Sequence, residues 1–199
     1  MHVSTIAAAF IAALAPLAQA QPHAHSHSHR HAHAIEARDD DTFDLTVENQ
    51  CSGSKTFGLY QVSPAFEMIQ MSDPLEIESG KSAVIPVDFA EIGMRLSATA
   101  DSGTAAQWDA QTLFEFGYSA FGSVTGTAYD LSVMEGVENG DSIAAYPGTS
   151  ECESKVCTTL GCALASAWSA AEDVVYGSPA DTVCYQGKQN FKIVWCPSS

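Results

Sequence analysis

Three carboxylates lie close together near the middle of the chain: Glu115 in "TLFEFGYS", and Asp130 and Glu135 in "YDLSVMEG". All seven histidines precede residue 34. That removes Ser-His-Asp and Cys-His machinery, and His-ligated catalytic zinc, from everything beyond. No Walker loop or dinucleotide fingerprint is present. The commonest hydrolytic apparatus left is a carboxylate pair. Glycoside hydrolysis places an acid about 5–5.5 Å from a nucleophile, or about 6.5–9.5 Å from a base. The acids therefore read as a catalytic pair, as a ligand-binding surface, or as the solvated face of an acidic sheet.

The elements that carry them have a two-residue beat. In "TLFEFGYS", Phe114 and Phe116 share one face and Glu115 takes the other; in "TAYDLSVM", Tyr129, Leu131 and Val133 point inward and Asp130 outward. Gly117, Gly122 and Gly126 lie around the connection, which would set these two strands side by side. Tyr118 and Phe121 then stand near the acids as aromatics able to stack on sugar rings. The same alternation runs through "TFDLTVEN", "KTFGLYQV", "PLEIES", "SAVIPVDF" and "NFKIVW", with polar turns between. Many short strands at regular spacing predict an all-β fold, an antiparallel sandwich or flattened barrel. The stretch "GCALASAWSAAEDV" departs from the beat. Leu164 and Trp168 are one helical turn apart, which predicts a short helix there.

The flanks set the context. "MHVSTIAAAFIAALAPLAQA" reads as a signal peptide over residues 1–20, ending in Ala-Gln-Ala, although its only charged or titratable residue is His2. Pro16 and the shortness of the run argue against a membrane anchor. Residues 21–41 read as a disordered tail, first rich in histidine and then acidic. Residues 42–199 read as one domain, with a disulfide-stapled excursion between about 147 and 183. The six cysteines (Cys51, Cys152, Cys157, Cys162, Cys184 and Cys196) all follow the leader, which suits disulfides in a secreted chain. A zinc site at Cys152, Cys157 and Cys162 is the rival reading, but no histidine lies near. Spacing alone does not choose among the pairings. From Thr42 onward 20 acids face 6 basic residues, a field that repels nucleic acid and anionic lipid and argues for a soluble, extracellular monomer.

Several segments together resemble thaumatin-like proteins. "DLTVENQC" and "DTVCYQGKQNFKIVWCP" bracket the domain as that family's first and last strands do. "TLFEF…YDLSVMEG" is similar to its central stretch, and "SECESKVC" to the cysteines that open its disulfide lobe. The likeness is strongest to the small secreted members from filamentous fungi, associated with the cell wall and conidial germination. It implies a flattened antiparallel sandwich with a reduced lobe, and an acidic cleft that binds β-1,3-glucan or another wall polysaccharide. Glu115 then matches the family Glu, Asp130 and Asp181 two of its Asp, and Glu135 stands where the family has Asp. The family Arg falls on Ala98, with Arg95 three residues earlier and on the opposite strand face, so the acids are expected to lack their cation. No apolar environment is evident to keep one carboxyl protonated. The resemblance also implies the bridges Cys51–Cys196, Cys152–Cys184 and Cys157–Cys162. Two readings of the site follow: glucan binding with little turnover, or an endo-β-1,3-glucanase using Glu115 and Asp130.

A third reading rests on the tail. His23, His25, His27, His29, His31 and His33 alternate with small residues and form a ligand set for Cu²⁺ or Zn²⁺, or else a merely solvated tract. Pro22 has no N–H to lose, which excludes the amino-terminal copper mode. No cofactor is required by any of these readings.

Overall fold

The computed structural model describes residues 41–133, 141–158 and 162–198. The leader, the six tail histidines and Glu135 lie outside them. The fold is an all-β sandwich of two sheets. The first runs β10 (Lys155–Cys157), β9 (Ile143–Pro147), β12 (Phe191–Trp195), β1 (Thr42–Asn49), β5 (Lys81–Asp88). The second runs β11 (Thr182–Cys184), β8 (Val124–Ser132), β7 (Leu113–Phe121), β6 (Met94–Ser97), β2 (Lys55–Val62), β3 (Met68–Gln70), with β4 (Leu75–Ile77) also on β2.

Alternation builds the core as expected. Phe43, Leu45 and Val47 of β1 are buried while Asp44 is exposed, and Phe114 and Phe116 of β7 are buried on either side of Glu115. Between the sheets Phe43, Phe114, Phe116, Tyr129 and Phe191 form one aromatic cluster, and Phe57 meets Trp195 edge-on at 5.0 Å. Each large side chain buried in this way contributes roughly 1.5–3 kcal/mol. Pro86 sits in β5, at the free edge of its sheet, where a missing N–H costs no ladder bond.

Among the described strands, pairing is antiparallel but for β1 and β12, which run parallel with Asn49 opposite Trp195. Cys51 and Cys196 follow these two residues at the same end of the sheet, and a disulfide joins them, Cα to Cα 4.9 Å. The other bridges are Cys152–Cys184 and Cys157–Cys162.

The stapled excursion is less separate than its cysteines suggest, because its Lys155–Cys157 segment is the edge strand β10 beside β9. The expected helix around Leu164 and Trp168 does not form. Trp168 instead bridges β8: its N–H donates to Leu131 O and its carbonyl accepts from Val133 N–H, both at 2.8 Å. With both backbone groups committed to a strand, a helical turn there has nothing to bond with. The helix comes later, as a 3₁₀ segment over Ala171–Tyr176. Asp173 holds its start by accepting the backbone N–H groups of Ser169 and Ala170 at 2.9 and 3.0 Å.

Candidate functional site

Register places the candidate acids in one line. Tyr60 of β2 pairs with Arg95 of β6, Arg95 with Glu115 of β7, and Glu115 with Asp130 of β8. Thr182 of β11 pairs with Tyr129, so Asp181 comes next beyond Asp130. All of these face away from the core, because Met94, Leu96, Phe114, Phe116, Tyr129 and Leu131 are the buried neighbours on either side. Directly opposed residues in a sheet have Cβ atoms about 4.5–5.5 Å apart. Glu115 and Asp130 therefore project side by side from neighbouring strands.

The expectation for Arg95 is overturned. It lies on the same face as Glu115, and its Nη2 donates to Glu115 Oε1 at 2.9 Å. Its Nη1 donates to the carbonyl of Gln107 at 3.1 Å, and its guanidinium lies 5.7 Å from the ring centre of Trp108. Ala98, the position the family comparison picked out, is buried. The short 3₁₀ segment Thr104–Trp108 supplies both the carbonyl and the indole. It sits over the end of β6, where Gln107 is fully buried and donates to Thr99 O and Gly103 O at 3.2 and 3.3 Å.

A second expectation fails with it. Burial pushes the Asp130 carboxyl up to about 8, reinforced by the charges of Glu115 and Asp181 and opposed by Lys155 and Arg95. Glu115 is also raised, mainly by burial, with Arg95 pulling the other way and Asp181 adding to the rise. Asp181 Oδ1 accepts from Trp168 Nε1 at 2.7 Å. Lys155 stands behind the row, buried, donating to Ala165 O at 2.6 Å with Glu153 at 3.4 Å.

Two hollows meet at Arg95 and Glu115. One of about 460 Å³ is bounded by Trp108, Asp109, Gln111, Ser132 and Glu172. The other, of about 880 Å³, has Gly117, Ala128 and Val183 along its floor and Asp130, Asp181 and Tyr185 beside them. Together they make a groove across the outer face of the second sheet.

Tyr118 borders the groove, but its ring lies edge-on to Phe89 at 5.4 Å. Phe121 does not join the acids. It stands at the tip of the β7–β8 hairpin, opposite Val124 and 6.4 Å from the Tyr185 ring. Sequence reasoning passed over Trp108, Trp168, Gln107 and Lys155, since each reaches the site from an irregular segment or from the far side of the sandwich.

Gly126 fixes one wall. A Cβ there would overlap the carbonyl oxygen of Cys184, so β11 can lie against β8 only if this residue is glycine. Gly126→Ala is expected to lose about 2–4 kcal/mol of stability, because the overlap is with backbone and must displace β11. Thermal unfolding would measure it; an unchanged Tm would show that β11 shifts freely.

No protein-family model matches the chain, and no curated protein matches its sequence. Among solved structures, it is similar to the crystal structure of the protein elicitor MoHrip2 from Magnaporthe oryzae. The identity is 14%, with 78% of this chain and 99% of that one covered, at a TM-score of 0.50. That likeness speaks to the fold alone.

Proposed function

We propose that the chain is an exported protein of the extracellular space or cell wall, and that it binds wall polysaccharide along the groove, β-glucan being the first candidate. The observation that carries this reading is the groove itself. Two open hollows of about 460 and 880 Å³ join at Arg95 and Glu115, with Gly117 and Ala128 in the larger and exposed Trp108 and Tyr185 among the lining residues. A shape of this kind suits an extended chain of sugar rings better than a compact small molecule. Export is supported by the leader-like start and the three disulfides. Among the described residues, no helix is long and apolar enough to cross a membrane. The thaumatin-like resemblance supports a role in wall organisation or conidial germination.

A pull-down on insoluble β-1,3-glucan tests the reading. Wild-type protein is expected to be retained, and Trp108→Ala with Glu115→Gln to weaken retention by about tenfold, as for central contacts of an interface. Equal retention of the double variant would remove the groove from the account.

A second reading, hydrolysis, is favoured by one observation: a carboxyl held protonated near neutral pH directly across from one paired with arginine. Asp130 would give its proton to the leaving glycosidic oxygen while the Glu115 carboxylate attacks the anomeric carbon. Water would then release the sugar from Glu115 and return the proton to Asp130. Reducing-sugar release by wild type, lost in both Glu115→Gln and Asp130→Asn, would establish turnover.

A further inference from the structure

We infer that the groove selects polysaccharide chains carrying free amines, glucosamine-rich polymers, over fully neutral glucan. The inference rests on the polysaccharide reading and sharpens its ligand. It starts from how the groove's charges are already spent. Arg95 is the one cation among the described lining residues; its two terminal nitrogens bond Glu115 and the Gln107 carbonyl and its guanidinium lies over Trp108, leaving only the buried Nε without a partner. With that pair closed, the smaller hollow offers a ligand Asp109 and Glu172, and the larger offers Asp130 and Asp181. Lys155 offsets part of this charge at Asp130, but its ammonium is buried and bonded to Ala165 O rather than open to a ligand.

One of these acids is also under-served by its own protein. Asp130 Oδ1 is buried and accepts no hydrogen bond from any described residue. A neutral glucan laid over the groove would take water from these carboxyls and return only hydroxyl hydrogen bonds. An ammonium returns a charge-assisted bond, roughly twice as strong as a neutral one.

The acids are strung out rather than gathered. Among the described residues the one group of three or more acids or cysteines close enough to share an ion is Cys51, Asp141 and Cys196, and its two sulfurs are bonded to each other. The groove therefore suits charges repeated along a chain, not a single divalent cation. Rings rather than peptide side chains are favoured by the indole and phenol at the rims, on which sugar faces can stack.

Amine binding carries a signature. Asp130, kept protonated near neutral pH by burial and then by the facing charges of Glu115 and Asp181, is drawn to its carboxylate form by an adjacent ammonium, and a proton leaves for the buffer.

The test is calorimetry on the full secreted chain at about pH 6, where the ligand amines and Asp130 are protonated. It compares hexamers of glucosamine, N-acetylglucosamine and β-1,3-linked glucose, with hexalysine as the charge control. The glucosamine hexamer is expected to bind at least about tenfold tighter than either neutral hexamer, to weaken with added salt, and to release protons on binding. Asp109→Asn/Glu172→Gln/Asp181→Asn is expected to erase the preference. Asp73→Asn/Glu76→Gln, away from the groove, is expected to keep it.

Equal binding of the acetylated hexamer would overturn the inference and leave the polysaccharide reading intact. Failure of all three sugars would overturn both. Hexalysine binding as tightly, with the same loss in the groove variant, would make the groove a site for basic peptides instead. Equal loss in the off-groove variant would reduce the preference to net charge.

Discussion

Replacing Cys51 and Cys196 together by alanine is expected to cost about 5 kcal/mol, against about 2 kcal/mol for the same treatment of Cys157 and Cys162. The difference lies in the length of chain each bridge closes: the two pairs are separated by 145 and 5 residues. Restricting a long loop removes more entropy from the unfolded ensemble, and the loss grows with the logarithm of loop length. The first bridge also locks a pairing between distant parts of the chain. β1 and β12 lie parallel in the interior of their sheet, and their contact joins the two ends of the domain. Gln50 N–H donates to Trp195 O at 2.9 Å beside the bridge, so loss of the disulfide frays both central strands from the same end. Guanidinium unfolding of the two double variants would measure the gap. A cost below about 1 kcal/mol for the first pair would mean that the terminal strands hold without it.

Two of the strands that carry the site, β7 and β8, were legible from their alternation, and β6 repeats the same pattern. Met94-Arg95-Leu96, Phe114-Glu115-Phe116 and Tyr129-Asp130-Leu131 each put one charged residue between two buried ones. Read together, these triplets place the arginine on the acids' face. The family resemblance points to Ala98 instead, which is buried and faces away from the acids. β9 was invisible for the opposite reason: Ile143, Ala144 and Ala145 are all fully buried, so a strand between β10 and β12 has no polar beat to display. Trp168 was misread because a spacing of four residues to Leu164 suits a helix, while the decisive bonds go to a strand distant in sequence. Trp108 and the Gln107 carbonyl are placed by a 3₁₀ segment with no periodic signal at all. The buried state of Asp130 depends on what covers the sheet's outer face. Alternation tells which way a side chain points, not whether water reaches it.

That covering has a cost which a single substitution should recover. Asp130→Asn is expected to stabilise the fold at pH 8 by on the order of 3–5 kcal/mol and to leave it nearly unchanged at about pH 4. The sign follows from where the proton sits. In the unfolded chain the Asp130 carboxyl ionises near its ordinary value of 3.8, while in the folded protein it stays protonated up to about 8. Below the lower value both states hold the proton, and pH does not discriminate between them. Between the two values only the folded state binds it, so the native form loses about 1.4 kcal/mol for each unit of rising pH. Above about 8 both states have lost it and the penalty is complete. Asparagine has nearly the same shape and no charge at any pH, so it removes the slope. Its amide can also donate to Glu115 across the ladder or to Asp181 beside it, where the native carboxylate repels both. Glu115 is raised as well and contributes its own slope, so the informative quantity is the difference between wild type and variant at each pH. Urea unfolding of both proteins from about pH 4 to pH 8 would show the curves diverging steadily. Parallel curves would place Asp130 in contact with water, and the protonated carboxyl on which the hydrolytic reading depends would be lost with it.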